Sequence, residues 1–165
     1  GGLLASGSHD ASVRVWDAAS GKLRLTFEGN TGPVCCVAWS PDGMLLVSGG
    51  NELRVWDAAS GELVHTLVGH TEAVRSAAWS PDGCRLVSGD CDKAVRVWDA
   101  SSGDLVRTYE GHTGLVWSVS WSPEGGVIVS GGIDGMVRVW EASLGEIPRS
   151  FQGHIGYVRS VAWSP

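Results

Sequence analysis

The sequence predicts an all-β protein built from four copies of one small antiparallel sheet. The chain is self-similar with a period of 40–42 residues, and short apolar runs within each period are separated by turn sequences such as PDG, PEG and ASG. Runs bounded by such turns are typical of short strands, and helical spacing is absent. Three complete units are residues 31–70, 71–112 and 113–154, and a split unit joins residues 155–165 to residues 1–30. We expect all four units to form one domain of 165 residues.

Each unit is expected to contain four strands, named a to d from its inner edge to its outer edge. Strand a is predicted at 34–39, 74–79, 116–121 and 158–163, and strand b at 3–6, 44–48, 84–88 and 126–130. Strand c is predicted at 13–16, 53–56, 95–98 and 137–140, and strand d at 23–27, 63–67, 105–109 and 147–151. The split unit therefore takes strand a from one end of the chain and its other three strands from the opposite end.

The composition excludes several classes of protein. Hydrophobic residues make up 43% of the chain and charged residues 18%, so a packed core is expected rather than a disordered chain. The formal net charge of −6 offers no basic surface to a phosphate backbone, and we expect no binding to nucleic acid. No apolar stretch approaches the length of a membrane span and no signal peptide is evident. These features favour a soluble cytoplasmic protein that does not bind membranes.

The cysteines give no sign of a metal or redox centre. Cys35, Cys36, Cys84 and Cys91 lack the spacing of metal ligands, and a chain of this size does not need a disulfide framework. We expect four free thiols, no metal site and no cofactor.

Two dipeptides recur in register along the chain. Gly-His stands at Gly69-His70, Gly111-His112 and Gly153-His154, and Trp-Asp stands at Trp16-Asp17, Trp56-Asp57 and Trp98-Asp99, with Trp140-Glu141 as a departure. Together with the period and the four strands per unit, these motifs resemble the WD-repeat β-propeller family over the whole chain. The resemblance implies that each unit is one blade. We call residues 31–70 the first blade, 71–112 the second, 113–154 the third, and the split unit the split blade.

The resemblance also implies a hydrogen-bonded tetrad of His, Ser, Asp and Trp inside each blade. The sets are His70, Ser88, Asp92 and Trp98 in the second blade, His112, Ser130, Asp134 and Trp140 in the third, and His154, Ser6, Asp10 and Trp16 in the split blade. Donors and acceptors in such a set can all be satisfied. A hydrolase that uses the serine as nucleophile is the alternative, but a set repeated beside a Trp in several units is typical of a structural network.

The first blade departs from this pattern. Asn30 stands where His is expected, and the turn at 49–52 lacks the Asp, so only Ser48 and Trp56 remain. We expect this blade to be locally the weakest, because its Ser and Trp need other partners.

The sequence leaves three alternatives for how the ring of blades closes. An unclosed row of blades has bare strand edges, which favour association. We favour two chains forming an eight-bladed homodimer in which each chain gives residues 158–163 to the split blade of the other. A self-closed four-bladed monomer and a piece of a longer repeat protein are the alternatives.

The resemblance places the family's contact face at the starts of the a strands and in the turns between strands b and c. Side chains there differ between units although the framework repeats. The candidates are Leu115, Trp117, Tyr157, Arg159, Arg75, Ile133, Cys91 and His9. Trp117 is either part of an aromatic and apolar contact patch or partly buried in the central channel, and Arg75 and Arg159 either clamp an anionic group or are solvated rim charges.

These features predict a protein that is not an enzyme. The favoured function is a scaffold for protein–protein interaction that closes into a ring with itself and presents one face to a protein or peptide. The alternative is an engineered or excised half-propeller with no activity beyond self-assembly.

Overall fold

The computed structural model describes residues 2–143 and 149–164, and within these ranges fifteen strands form four antiparallel sheets. The split blade contains β1 (Leu3–Gly7), β2 (Val13–Asp17) and β3 (Leu23–Phe27). The first blade contains β4 (Cys36–Trp39), β5 (Leu45–Gly49), β6 (Leu53–Asp57) and β7 (Leu63–Leu67). The second contains β8 (Val74–Trp79), β9 (Arg85–Asp90), β10 (Val95–Asp99) and β11 (Leu105–Tyr109). The third contains β12 (Val116–Trp121), β13 (Val127–Gly132), β14 (Met136–Glu141) and β15 (Arg149–Gln152).

The all-β class and the division into four antiparallel sheets are confirmed. Each complete sheet has its strands in chain order, as in β4-β5-β6-β7, so every connection is a hairpin between neighbours. The strand bounds agree with the predicted ones to within a few residues. Of the last predicted d strand, residues 147 and 148 lie outside the described residues, and β15 begins at Arg149. In the described part of the chain, no helix is long and apolar enough to cross a membrane.

The predicted strand a at 158–163 is unpaired within the single chain, and its pairing with a second chain stays a prediction. This segment pairs with no strand in the described residues, and the split blade has three strands instead of four. Its backbone nevertheless follows the pattern of an a strand beside the third blade, since Val158 N donates to Gly132 O (2.9 Å) as Val74 N does to Gly50 O (2.7 Å). The segment lacks a sheet partner because β1, its expected neighbour, lies at the far end of the row of blades.

The hydrophobic core lies between blades. Each of three buried clusters combines residues of two consecutive sheets; one, for example, joins Val13 and Phe27 of the split blade to Leu46 and Trp56 of the first. This follows from the sequence because the inner strands carry apolar side chains towards both faces, and an isolated sheet would leave one face in water.

Glycines on strand b let consecutive blades approach closely. A Cβ atom at Gly89 would lie 2.6 Å from Val116 Cγ1 of the next blade, closer than carbon atoms pack without displacement. The same position is glycine in every blade, and each meets the first valine of the following a strand: Gly7 with Val34, Gly49 with Val74, Gly89 with Val116, and Gly131 with Val158. The repeated glycine is therefore a packing requirement of the interface between blades.

We predict that Gly89→Ala destabilises the protein by about 1–3 kcal/mol, since overfilling a packed core forces backbone and side chains to move. Gly126→Ala is the matched control, because no atom lies within 4 Å of a Cβ built there. Denaturant unfolding of both variants measures the effect. Equal stability of the two variants would contradict the assigned role of Gly89.

Candidate functional site

The third blade contains all four side chains of its predicted tetrad in hydrogen-bond contact. Trp140 Nε1 donates to Ser130 Oγ (2.8 Å), and Ser130 Oγ lies 2.7 Å from His112 Nε2. His112 Nδ1 lies 3.0 Å from Asp134. Because the indole can only donate and the carboxylate only accept, the network assigns the proton of His112 to Nδ1 and makes Nε2 the acceptor of the serine hydroxyl. Arg138 Nη1 also lies 2.8 Å from His112 Nδ1, and with this assignment its hydrogen bond goes to Asp134 (2.8 Å).

The second blade differs from the prediction at its carboxylate. His70 Nε2 contacts Ser88 Oγ, and Trp98 Nε1 donates to the same oxygen at 2.8 Å. The partner of His70 Nδ1 is Asp90, not Asp92. Asp92 instead accepts hydrogen bonds from Thr71 and from the backbone of Ala94. Asp90 has no counterpart in the third blade, where Gly132 follows Gly131.

An arginine on strand c completes both networks. Arg96 Nη1 lies 2.8 Å from Asp92 and 3.3 Å from Asp90, and Arg138 Nη1 lies 2.8 Å from Asp134. His70, Asp90 and Asp92 offer donor atoms within 4.8 Å of one another, which is a spacing compatible with a metal ion. The cation in this cluster is the guanidinium of Arg96, and it supplies the positive charge that the two carboxylates need.

Burial sets the charge states of these groups. It lowers the pKa of His112 and so favours the neutral ring that the hydrogen-bond pattern requires. Burial raises the pKa of Asp90 above its ordinary value. For Asp134, burial alone would raise the pKa, but hydrogen bonds from Thr113 N and from His112 outweigh it and the net shift is downward.

Asn30 takes the place of histidine in the first blade. Ser48 Oγ donates to Asn30 Oδ1 (3.0 Å), Trp56 Nε1 donates to Ser48 Oγ (2.8 Å), and Asn30 Nδ2 donates to Ala11 O (3.1 Å). The Asn30 amide thus supplies the acceptor for the Ser48 hydroxyl, and Ser48 supplies the acceptor for Trp56. That this blade is the weakest stays a prediction.

The split blade holds only part of its predicted tetrad together. Trp16 Nε1 donates to Ser6 Oγ (2.9 Å), while Asp10 accepts from Ser12 and pairs with Arg14. His154 is exposed, at the opposite end of the row. The structure does not bring it to Ser6, because the two ends of the chain do not meet.

The candidate face residues on the a strands form a contiguous row. The guanidinium carbon of Arg75 lies 5.3 Å from the centre of the Trp117 ring, and that of Arg159 lies 5.8 Å from the same ring. Arg75 Nε also donates to Cys91 Sγ (3.2 Å). Arg75, Trp117 and Arg159 occupy equivalent positions in consecutive units, so these three side chains are arranged in the same order as the blades.

The remaining candidates lie in the neighbouring turns or apart from the row. Ile133 N donates to Leu115 O (3.0 Å), which joins the turn between strands b and c to the start of β12. Tyr157 is exposed and directly precedes Val158. His9 is exposed, and no contact with the row is found for it among the described residues.

One participant, Asp90, was missed by the sequence analysis. Asp90 could have been found from its position after Ser88-Gly89 at the end of β9, but the sequence analysis assigned the role to Asp92 alone. Cys35 stands at the position of the first blade that is equivalent to Arg75, and Arg75 Nη1 lies 3.5 Å from its Sγ. All four cysteines are free thiols, and burial raises the pKa of Cys36 to about 12.

We predict that His112→Asn flattens the dependence of stability on acid pH. The pKa of His112 is lower in the folded protein than its ordinary value, so the unfolded chain takes up the proton first. Its contribution to stability is complete above pH of about 6.5 and is lost as the pH falls through the folded pKa. The wild type should therefore lose more stability than His112→Asn between neutral and mildly acid pH in denaturant unfolding.

His9→Asn is the control for this experiment, since it changes an exposed histidine outside any tetrad. If His112→Asn and His9→Asn give the same pH dependence as the wild type, the buried neutral state of His112 is contradicted.

Comparison with known proteins agrees with this architecture. The sequence model of the family described as "WD domain, G-beta repeat" matches residues 1–17, 21–57, 61–99 and 103–141. The small ribosomal subunit protein RACK1y of Oryza sativa subsp. japonica is 51% identical over 49 residues, which are 30% of this chain and 15% of that protein. Ribosome assembly protein 4 of Chaetomium thermophilum is 51% identical over 43 residues, 26% of this chain and 8% of that protein.

The nuclear distribution protein PAC1 of Arthroderma benhamiae is 46% identical over 52 residues, 32% of this chain and 11% of that protein. The matched segments thus span no more than 15% of the length of these relatives. The four family matches cover most of the chain, and each of the last three runs from strand d of one blade through strands a, b and c of the next. The chain belongs to the WD-repeat family.

Proposed function

We propose that this protein is a non-catalytic scaffold for protein–protein interaction that presents the starts of its a strands to a protein or peptide. One observation carries the proposal: the same backbone position holds Cys35, Arg75, Trp117 and Arg159 in successive units, whereas the framework around it repeats. No framework role asks for these side chains, and loops and strand ends on a rigid scaffold are common sites of recognition. Trp and Arg are also enriched in interface hot spots.

The buried serines argue against hydrolysis. Ser88 and Ser130 are 0% exposed, and each hydroxyl is already engaged by an indole N–H and a histidine. A nucleophile has to reach a substrate carbonyl, and both serines are fully buried in the described part of the chain. We propose a cytoplasmic location, in line with the composition.

Heptapeptides are selected from a random phage-displayed library on the immobilised wild-type chain. We predict that the selected peptides bind Trp117→Ala at least about tenfold more weakly than the wild type, because the variant lacks a hot-spot aromatic side chain. Fluorescence anisotropy with the selected peptides measures this, and thermal unfolding by circular dichroism verifies that the variant is folded. Equal binding to both proteins would place the contact face elsewhere. A selection without enrichment would favour a protein whose only activity is self-assembly.

We further propose that two chains close into an eight-bladed ring by exchanging residues 158–163. The bare edge of β1 supports this: Leu4 is 59% exposed, whereas its equivalents Leu46, Leu86 and Ile128 are 0% exposed. In the complete blades these side chains are covered by strand a and the adjoining blade. The exposed Leu4 side chain of the split blade needs to be buried in the same way.

The outer face of the third blade supports the same closure. Phe27 and Tyr109 end their d strands, are 1% exposed, and pack on the Trp of the following blade, with ring centres 5.8 Å and 5.2 Å apart. Their equivalent Phe151 is 51% exposed. The Trp in the corresponding position is Trp16, at the other end of the row, so exchange would bring Phe151 of one chain onto Trp16 of the other.

The backbone of residues 158–163 is suited to the exchange. Val161 N donates to Ser118 Oγ (3.2 Å), as Val119 N does to Ser76 Oγ (3.2 Å) in the third blade. In that blade Val119 pairs in register with Ser130, so Val161 would pair with Ser6. Exchange would also bring His154 to Ser6 and complete the fourth tetrad. Eight blades fall within the range of known propellers.

We predict a solution mass near twice the 17.3 kDa of one chain in light scattering over a concentration series. Leu4→Glu should reduce it to that of a single chain, because a carboxylate would be buried without a partner in the exchanged blade. Leu3→Arg is the matched control, since the equivalent position in the second blade is already Arg85. A single-chain mass for the wild type would contradict the dimer and leave a self-closed monomer or neighbouring repeats to complete the ring.

A further inference from the structure

Two arginine side chains lie on one aromatic ring at the candidate face. The guanidinium carbons of Arg75 and Arg159 are 5.3 Å and 5.8 Å from the centre of the Trp117 ring. Among the described residues, neither arginine forms an ion pair with a carboxylate, whereas the strand-c arginines Arg54, Arg96 and Arg138 all do. In a chain with a net charge of −6, this is a local concentration of unneutralised positive charge.

Arg75 is fixed in place without losing its charge. Its Nε donates to Cys91 Sγ (3.2 Å) and its Nη1 lies 3.5 Å from Cys35 Sγ. Thiol sulfur is a weak acceptor, so these contacts orient the guanidinium while leaving its positive charge uncompensated. The hydrogen bond to Cys91 raises the pKa of Arg75 above its ordinary value.

The position of both cations over a ring suits them to bind a carboxylate. An arginine held over an aromatic face keeps the N–H groups at its edge for a ligand, and these match a carboxylate in a two-pronged contact. Apolar side chains start the same two a strands: Leu115 is half-buried two residues before Trp117, and Tyr157 is exposed two residues before Arg159. A ligand that satisfies this surface carries acidic groups beside apolar ones.

We propose that the row Arg75, Trp117 and Arg159 recognises acidic side chains of a partner peptide, with apolar residues of that peptide packing on Trp117 and Tyr157. This inference rests on the proposed interaction function and adds the chemistry of the partner. Neutralisation of two stacked guanidiniums by Asp or Glu side chains supplies the charge complementarity.

The test uses the same random heptapeptide library on phage, selected in parallel on the wild type and on the double variant Arg75→Gln/Arg159→Gln. We expect Asp and Glu to be enriched in peptides selected on the wild type and not in those selected on the double variant. An enriched peptide should bind the double variant about tenfold more weakly, and its copy with Gln in place of Glu should lose a similar factor on the wild type.

A second double variant separates local from overall charge. Lys22→Gln/Arg149→Gln makes the same change in net charge at two exposed residues, one just before β3 and one in β15. It should bind the acidic peptide as the wild type does at about 0.15 M salt, where distant charges are screened. A loss equal to that of Arg75→Gln/Arg159→Gln would reduce the effect to net charge and overturn the inference.

The remaining outcomes distinguish this inference from the function on which it rests. Enrichment of neutral peptides that need Trp117 would keep the interaction face and overturn acidic recognition. Peptides that bind equally to Trp117→Ala would overturn both. A lower solution mass for Arg75→Gln/Arg159→Gln than for the wild type would show that a second copy of the chain occupies the row. If the same peptide with phosphoserine in place of glutamate binds more than about tenfold more tightly, the row would be assigned to phosphate recognition.

Discussion

Every sheet in this protein has apolar side chains on both faces, so every blade depends on a neighbour on each side. The second blade meets this condition: Trp98 and Val97 are 0% exposed, and its clusters extend into the blades before and after it. The condition fails at the ends of the row, where Phe151 and Leu4 face solvent. The apolar character of both sheet faces thus explains why the core lies between blades. It also explains why closing the ring would be favourable, because burying the two end blades removes apolar surface from water.

Within that core, each blade must also provide an acceptor for a buried indole N–H. Serine supplies it in all four blades, and what varies is the group that satisfies the serine hydroxyl in turn. His112 does so with Asp134 behind it, His70 does so with Asp90, and Asn30 does so alone. The fold tolerates these replacements because the requirement is a satisfied hydrogen bond and not a particular residue. A catalytic serine would not tolerate them.

The sequence was sufficient for features that repeat and insufficient for features that depend on neighbours. Period, strand order and the serine–tryptophan contacts follow from spacing within one unit. The choice of Asp90 over the predicted Asp92 depends on which of two nearby carboxylates reaches His70 once β9 and its turn are folded. The unpaired state of residues 158–163 depends on where the two ends of the row lie. The contact of Trp117 with two arginines depends on how far apart consecutive blades sit.

The distance between consecutive blades determines which side chains meet on the candidate face. Each side chain in the row touches its equivalents about one period away in the chain: Arg75 contacts Cys35 and Trp117, and Trp117 contacts Arg75 and Arg159. In the proposed ring of two chains, the order Cys, Arg, Trp, Arg would run twice around the channel, and Arg159 of one chain would adjoin Cys35 of the other. Two identical basic and aromatic sites would then face one another across the two-fold axis. A partner with two acidic segments could engage both, and the second contact would form at the high effective concentration that a tether provides.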